Sequence, residues 1–267
     1  MRALQIENLH KTYIDSYSAD EVVAIGDVSF DVAEGEFVSV LGPSGCGKTT
    51  VLNIVAGFVE QTSGSVTVAG TPVRGPGPDR GVVFQNHALF PWKTVLGNVT
   101  FGLRMRGVAK AEREATAAEY LRLVGLTGFE HRYPHELSGG MQQRLGVARV
   151  LANEPAVMLM DEPFASIDAQ TRRRLQEDLT RIFQERRPTV FFVTHDVDEA
   201  VFLSDRVVVL TGRPSRVHEV VAVDLPRPRD WRSTGELPRF RELRNRITDL
   251  LAADDESDEA HAVADPA

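Results

Sequence analysis

The stretch FVSVLGPSGCGKTT, Phe37 to Thr50, constrains the fold more than any other part of this chain. A short apolar run, Phe37 to Leu41, ends directly at Gly42, and an apolar helical pattern (Val51, Leu52, Val55) follows Thr50. Between them, Gly42-Pro43-Ser44-Gly45-Cys46-Gly47-Lys48-Thr49 fits G-x-x-x-x-G-K-[ST] in the strand, loop and helix order that gives the pattern its meaning. The glycines let the backbone turn so that its N–H groups point at phosphate oxygens, and the dipole of the following helix adds positive potential. Lys48 supplies a mobile charge for β- and γ-phosphates, and Thr49 offers a hydroxyl to Mg²⁺. A glycine-rich turn without a ligand is the plainer alternative for the loop taken alone.

Other apolar runs lie at Gly81 to Phe84, Val157 to Met160, Val190 to Val193 and Val207 to Leu210. They lack alternation and are separated by helical segments, which suits buried parallel strands covered on both faces. Alternating runs at Leu4 to Leu9, Val22 to Val32 and Ser65 to Ala69 fit half-exposed antiparallel strands. The expectation is an α/β fold with a mostly parallel P-loop core and an N-terminal antiparallel β subdomain.

Residues 87–136 hold no convincing strand and read as a helical subdomain inserted in that core. Within it, Lys110 to Val124 carries Ala111, Ala115, Ala118 and Leu121 on one stripe, stopped by Gly125. Asp168 can cap a helix bearing Leu175, Leu179 and Ile182, stopped by Pro188. Phe240, Leu243, Ile247 and Leu250 mark a last helix at about 238–251, closing a domain of 1–250. The remaining 252–267 include the acidic run DDESDE and read as a disordered tail.

Three strand ends carry polar groups that an α/β sheet would present along its carboxyl edge. VMLM ends at Asp161 and Glu162, suited to holding Mg²⁺ and to polarising an attacking water. VFFVT ends at His195, suited to a γ-phosphate contact, and GVVFQ ends at Gln85, suited to Mg²⁺ or the water. Taken singly, an acidic turn or a structural histidine would explain these residues; beside a P-loop the catalytic reading gains.

A second glycine-bearing helix start, HELSGGMQQR (His135 to Arg144), lies nearly a hundred residues after the first. With it, the order P-loop, Gln85, LSGG, VMLMDEP and His195 resembles the ATP-binding subunits of ABC transporters, over almost the whole chain to about Leu250. That resemblance implies the ABC ATPase fold, and it implies roles residue by residue. Tyr13 looks like the aromatic that stacks on adenine, Gly42 to Thr50 like the Walker A loop, and Gln85 like the Q-loop glutamine. Asp161 and Glu162 look like the Walker B aspartate and general base, His195 like the switch histidine, and Ser166-Ile167-Asp168 like the D-loop, with Ile where the family usually has Leu. Leu137 to Arg144 looks like the signature motif, whose Ser138, Gly139, Gly140 and Gln142 would meet ATP held by a second copy in a head-to-tail dimer.

The segment Gly75 to Leu103, with RPSRV and DLPRPRD, is similar to the group that energises import of nitrate, sulfonates and taurine. Its partners would be transmembrane permease subunits and, indirectly, a periplasmic or lipid-anchored solute-binding protein. Leu89-Phe90-Pro91-Trp92 would line the groove for a coupling helix of the permease, or else pack inside the subdomain. A net charge of −8 argues against a nucleic-acid partner. The single cysteine, Cys46, permits no intramolecular disulfide; a small residue tolerated in the loop is the simplest account of it, a redox thiolate the other. No secretory signal or membrane span is evident, so the expected location is cytoplasmic, on the inner face of the membrane through the permease. An ABC-type assembly scaffold is the rival reading, with a nucleotide kinase further off because no acceptor site is evident.

Overall fold

The computed structural model describes residues 1–14, 20–86, 88–165 and 167–263. The chain opens with β1 (Arg2–Ile14) and β2 (Glu21–Ala33), antiparallel to each other, followed by β3 (Phe37–Leu41) and α1 (Lys48–Ala56). Then come β4 (Ser63–Val68), β5 (Thr71–Pro72) and β6 (Arg80–Val83), before the helices α2 (Val95–Met105), α3 (Lys110–Leu123) and α4 (Gly139–Leu151). The second half runs β7 (Val157–Asp161), α5 (Ala169–Arg186), β8 (Val190–Val193), α6 (Val197–Leu203), β9 (Arg206–Leu210) and β10 (Ser215–Ala222). It ends in α7 (Trp231–Thr234) and α8 (Pro238–Val263).

Among the described residues the strands form one sheet of ten, in the order β5-β4-β1-β2-β10-β9-β3-β8-β7-β6. From β9 to β6 the neighbours are parallel, and from β5 to β2 antiparallel. The antiparallel part is continuous with the core because β10 pairs antiparallel with β9 and parallel with β2. This joining strand is hidden in the sequence: Arg216, His218 and Glu219 dilute its apolar signal, although its burial alternates as a half-exposed strand should.

Successive residues of each core strand point to opposite faces, so the apolar runs feed two cores. Val38, Leu159, Phe191 and Val208 pack with Val51, Leu52 and Val55 of α1 on one side. Phe37, Met158, Met160 and Phe192 pack on the other side with the helical insert, α5, α6 and α8. Phe191 and Phe192 have no exposed surface, and deleting either side chain would cost about 3–5 kcal/mol.

The helical layer includes α4, which packs on α2 and α3, and so continues past residue 136. In α3 the expected stripe holds at Leu121 and fails at its alanines: Ala111, Ala115 and Ala118 are exposed, and the helix buries Ala117, Tyr120 and Leu123 beside Leu121. The larger side chains win because they remove more apolar surface from water. Asp168 caps α5 by accepting from Thr171 N–H at 3.0 Å, and left-handed Arg187 ends the helix ahead of Pro188.

Phe240, Leu243 and Ile247 anchor α8 in the core as expected. The helix does not stop near residue 251; its backbone stays helical to Val263, through a run of Ala, Asp and Glu that includes good helix formers. Residues 264–267 of the expected tail, like Ser166 of the D-loop and His87 at the start of the insert, lie outside the described residues. No helix among the described residues is long and apolar enough to cross a membrane.

Candidate active site

Register brings the chemistry together. Val40 of β3 pairs with Val193 of β8, Val193 with Asp161 of β7, and Val83 of β6 with Met160. Neighbouring strands lie roughly 4.8 Å apart, so the P-loop, His195, Asp161, Glu162 and the turn holding Gln85 leave one carboxyl edge side by side. Ser44, Gly45, Gly47, Lys48, Thr49, Thr50, Glu162, His195 and Arg213 line a cavity of about 430 Å³ there.

Gly47 precedes α1 with φ 104°, a conformation that L side chains rarely adopt. A Cβ there would also lie 3.1 Å from the Ala24 carbonyl oxygen. No side chain caps α1, so its first N–H groups remain for a ligand. Lys48, only 7% exposed, folds back so that its Nζ donates to the carbonyls of Gly42 at 2.7 Å and Pro43 at 2.8 Å. Its ammonium is thereby fixed against the loop.

Cys46 is buried beneath that ammonium. Burial pushes its thiol pKa up against the pull of Lys48, which disfavours the thiolate that a redox role would need. Cys46 is a packing residue of the loop.

Thr49 Oγ1 donates to Asp161 Oδ1 at 3.3 Å. Burial pushes the Asp161 carboxyl up; the Thr49 hydrogen bond opposes this, the charge of Glu162 adds to it, and Lys48 opposes it. Glu162 itself sits at φ 41°, held by its N–H bond to the Val193 carbonyl at 2.9 Å. That left-handed backbone is strained for a residue with a side chain, of the kind that persists only where the surroundings fix it. Its Oε2 lies 3.1 Å from His195 Nδ1.

Arg213 is the cavity residue that sequence reasoning missed. Its Nη2 donates to the Gly45 carbonyl at 3.0 Å, tying the turn before β10 to the P-loop. The only signal is the RPSRV segment itself, which reads as a mark of the family and says nothing of the site.

The remaining candidates lie elsewhere. Tyr13 is 41% exposed near the end of β1 with the Lys11 ammonium 4.8 Å over its ring, and exposed Gln85 sits in the turn after β6; neither lines the cavity. Ser138 caps α4 by accepting from Met141 N–H at 3.4 Å. Gln142 braces the preceding turn by donating to the carbonyls of Pro134 at 2.9 Å and Leu137 at 3.3 Å. The two glycines differ: a Cβ on Gly139 would meet nothing within 4 Å, whereas one on Gly140 would lie 2.9 Å from the Thr171 methyl of α5. Gly140 therefore has a packing reason to be glycine, and Gly139 has none inside this chain.

A second cavity, about 490 Å³ and mostly apolar, runs between the insert and the core, with Phe58, Phe84, Phe90, Phe101 and Met105 in its walls. Fully buried Asn98 holds Phe90 in that wall: the side chain accepts from Phe90 N–H at 2.9 Å and donates to the carbonyls of Phe90, Lys93 and Thr94. Phe90 rests on Phe101, Leu89 packs toward the core, and Trp92 stands 71% exposed beside them.

Residues 25–165 match the family model for ABC transporter. The chain is 54% identical over 248 residues to an uncharacterized ABC transporter ATP-binding protein of Methanocaldococcus jannaschii, covering 93% of this chain and 91% of that one. It is 46% identical to a nitrate import ATP-binding protein of Synechococcus elongatus, covering 86% and 85%. Against a taurine import ATP-binding protein of Rhizobium johnstonii the identity is 48%, covering 86% and 89%. Among solved structures, a dimeric ATP-binding cassette in a post-hydrolysis state with ADP and phosphate superposes with a TM-score of 0.71 at 31% identity, covering 84% of this chain and all of that one. This chain belongs to the ABC transporter ATP-binding family, an ATP-hydrolysing cassette with the α/β P-loop fold.

Proposed function

We propose that this chain is the motor of an importer: two copies, paired head to tail, bind and hydrolyse two MgATP and drive a membrane permease for a small solute such as nitrate, a sulfonate or taurine. The observation that carries the reading is the Glu162–His195 pair, 3.1 Å apart at the tips of β7 and β8 and in the wall of the P-loop cavity.

In this reading Lys48 leaves its carbonyl partners for the β- and γ-phosphates, and the N–H groups of Gly45 to Thr50 wrap the phosphate chain. Glu162 takes the proton of the attacking water, while His195, through Nε2, contacts the γ-phosphate. Thr49 and Asp161, already within hydrogen-bonding reach, are a hydroxyl and one carboxylate. That donor set suits Mg²⁺, which takes one or two protein oxygens and completes its shell with water and phosphate. Among the described residues no group of three or more His, Cys, Asp or Glu could hold a metal by itself. Bound there, Mg²⁺ would neutralise charge on the phosphates; Gln85 would approach the same region when the turn after β6 closes.

Tyr13 would stack on the adenine. Ser138, Gly139, Gly140 and Gln142 form the helix start that a second copy's nucleotide would meet, with Asp168 near the shared seam. One helix terminus supplies roughly half a positive charge, little against a triphosphate, so a second terminus adds stabilisation present only while the γ-phosphate remains. ATP closes the pair and hydrolysis loosens it. The apolar groove beside Phe90 and Trp92 receives a helix of the permease, which holds the chain at the inner face of the membrane.

The test is Glu162→Gln in the full chain. Hydrolysis should fall by about 10²–10⁴-fold, the range of a lost general base, while ATP binding persists and ATP-bound dimers accumulate on size exclusion. Unaltered turnover removes Glu162 from the base role and leaves the reading without its centre. Co-purification with a polytopic membrane protein separates the importer from an assembly scaffold.

A further inference from the structure

A buried hydrogen-bonded chain runs from the His195 turn to the C-terminal segment. Thr194 Oγ1 accepts from Asp196 N–H at 3.1 Å and donates to Glu199 Oε2 at 2.5 Å, so one hydroxyl fixes the backbone on both sides of His195. Gln176 of α5 donates its Nε2–H to Glu199 Oε1 at 2.7 Å, and its Oε1 accepts from the indole N–H of Trp231 at 2.9 Å. Thr194, Gln176 and Glu199 are each at most 4% exposed. Glu199 shares with Glu162 and His195 the wall of a small cavity of about 30 Å³.

The donors and acceptors of this chain have a single consistent direction. An indole N–H can only donate, so Gln176 must turn its oxygen to Trp231 and its amide hydrogens to residue 199. Residue 199 must therefore accept on that side, and on the other side it takes the Thr194 hydroxyl. A carboxylate meets both demands as a double acceptor, and a glutamine could stand in only with its oxygen toward Gln176 and its hydrogens toward Thr194 Oγ1. Burying a carboxylate has a large desolvation cost, and burial pushes the Glu199 carboxyl up to about 7 against the pull of Thr194 and Gln176. Around it stand Asp196 on its own loop, which raises it further, and Arg172 of α5, which lowers it.

We propose that Glu199 is a positioning residue for His195: it clamps Thr194, and through Gln176 and Trp231 it ties the histidine's turn to the segment that enters α8. Trp231 stacks flat on Phe202 of α6, ring centroids 4.1 Å apart, and meets Phe240 of α8 edge-on. The turn bearing His195 is thus linked by hydrogen bonds and ring contacts to the start of the C-terminal helix. The inference rests on the reading of His195 as the γ-phosphate contact.

The experiment is steady-state ATP turnover of the full chain with Glu199→Leu and Glu199→Gln. Leucine removes both acceptors and leaves the Thr194 hydroxyl and the Gln176 amide without this partner, whereas glutamine can keep both contacts by turning its oxygen to Gln176 and its hydrogens to Thr194 Oγ1. We expect Glu199→Leu to lower kcat about 10- to 100-fold, the scale of a misplaced catalytic group, with KM for ATP unchanged, and Glu199→Gln to stay near the parent. Should Glu199→Leu not fold, Thr194→Val against Thr194→Ser answers the same question: Val should be slow and Ser near the parent. Parent-like turnover in Glu199→Leu, or a Glu199→Gln variant as slow as Glu199→Leu, overturns the proposal, as does a Thr194→Val variant as fast as Thr194→Ser. His195→Ala is the control. A slow His195→Ala beside a fast Glu199→Leu sinks this inference alone; a fast His195→Ala removes the reading of His195, and this inference with it.

Discussion

Thr49 Oγ1 donates to Asp161 Oδ1 across 3.3 Å, joining the first turn of α1 to the tip of β7. Asp161 is there at a cost, because burial holds its pKa above the ordinary aspartate value. An acid whose folded pKa exceeds its unfolded one binds more protons when folded, so its contribution to stability is present at low pH and is lost as pH rises through the folded value. At neutral pH the ionised carboxylate is a liability in the absence of a cation. Asp161→Asn keeps an acceptor for Thr49 and removes the liability. We expect its nucleotide-free Tm to equal or exceed that of the parent, while Mg²⁺-dependent turnover falls on the order of 10²-fold. Calorimetry and a magnesium titration of the ATPase rate decide it; a parent-like magnesium response would clear Asp161 of the metal role.

Gly139 and Gly140 separate two reasons for a glycine pair. Alanine at 140 would put a methyl 2.9 Å from the Thr171 methyl and push α4 from α5. Gly140→Ala should lower stability by about 1–3 kcal/mol, the usual penalty of overpacking, and Thr171→Ser should restore part of it. Alanine at 139 meets nothing within 4 Å in this chain. Gly139→Ala should therefore melt with the parent and bind ATP as a monomer, yet dimerise poorly with ATP. Light scattering with and without nucleotide reads the difference, and normal dimerisation by Gly139→Ala would argue against the trans role of this helix start.

The cavity was legible because its parts lie at the ends of apolar strands. FVSVL, VMLM and VFFV each announce a buried strand, and the sheet itself aligns the residues at their tips: Gly42, Asp161 and Thr194-His195. Features that depend on partners distant in sequence escaped. Arg213 reaches Gly45 across 168 positions, and β10 becomes a strand because β2 and β9 flank it, not because SRVHEVVA has a strong pattern. The stripe of α3 misleads because alanine spacing alone does not say which face is covered; Tyr120 and Leu121 decide that. Gly140 reads as a phosphate contact in the sequence, and only the approach of Thr171 reveals its packing role.

Glu199 gives a pH signature. Its carboxyl rises from an ordinary value of 4.5 to about 7 in the fold. The folded state therefore holds an extra proton between those values, and stability should decline from pH 4.5 toward pH 7 on account of this group. Glu199→Gln cannot titrate. Its Tm, whatever its level, should lose that component of the slope, so the parent curve should fall relative to the variant's as pH rises from 4.5 toward 7. Melting curves at half-unit pH steps across the window test this; parallel curves would mean that Glu199 titrates at its ordinary value.

Trp92 and Asn98 both touch Phe90 in the wall of the apolar groove, one exposed and one buried, and their alanine variants should fail in different ways. Trp92 is 71% exposed, so Trp92→Ala removes little buried surface and should leave Tm unchanged. If the groove receives a permease helix, the indole is a natural anchor, and its loss should weaken co-purification with the membrane subunits by more than about tenfold, the 1.4 kcal/mol or greater expected of an interface hot spot. Asn98→Ala leaves Phe90 N–H and the carbonyls of Phe90, Lys93 and Thr94 without their shared partner. The Phe90 and Thr94 carbonyls keep backbone donors, Lys93 N–H and the N–H of residue 98, so Phe90 N–H and the Lys93 carbonyl are the groups stranded, at about 1–3 kcal/mol each, and this variant should lose stability and coupling together. ATP turnover without the permease should survive in Trp92→Ala. A Trp92→Ala chain that still assembles at full strength would place the docking surface elsewhere on the helical layer.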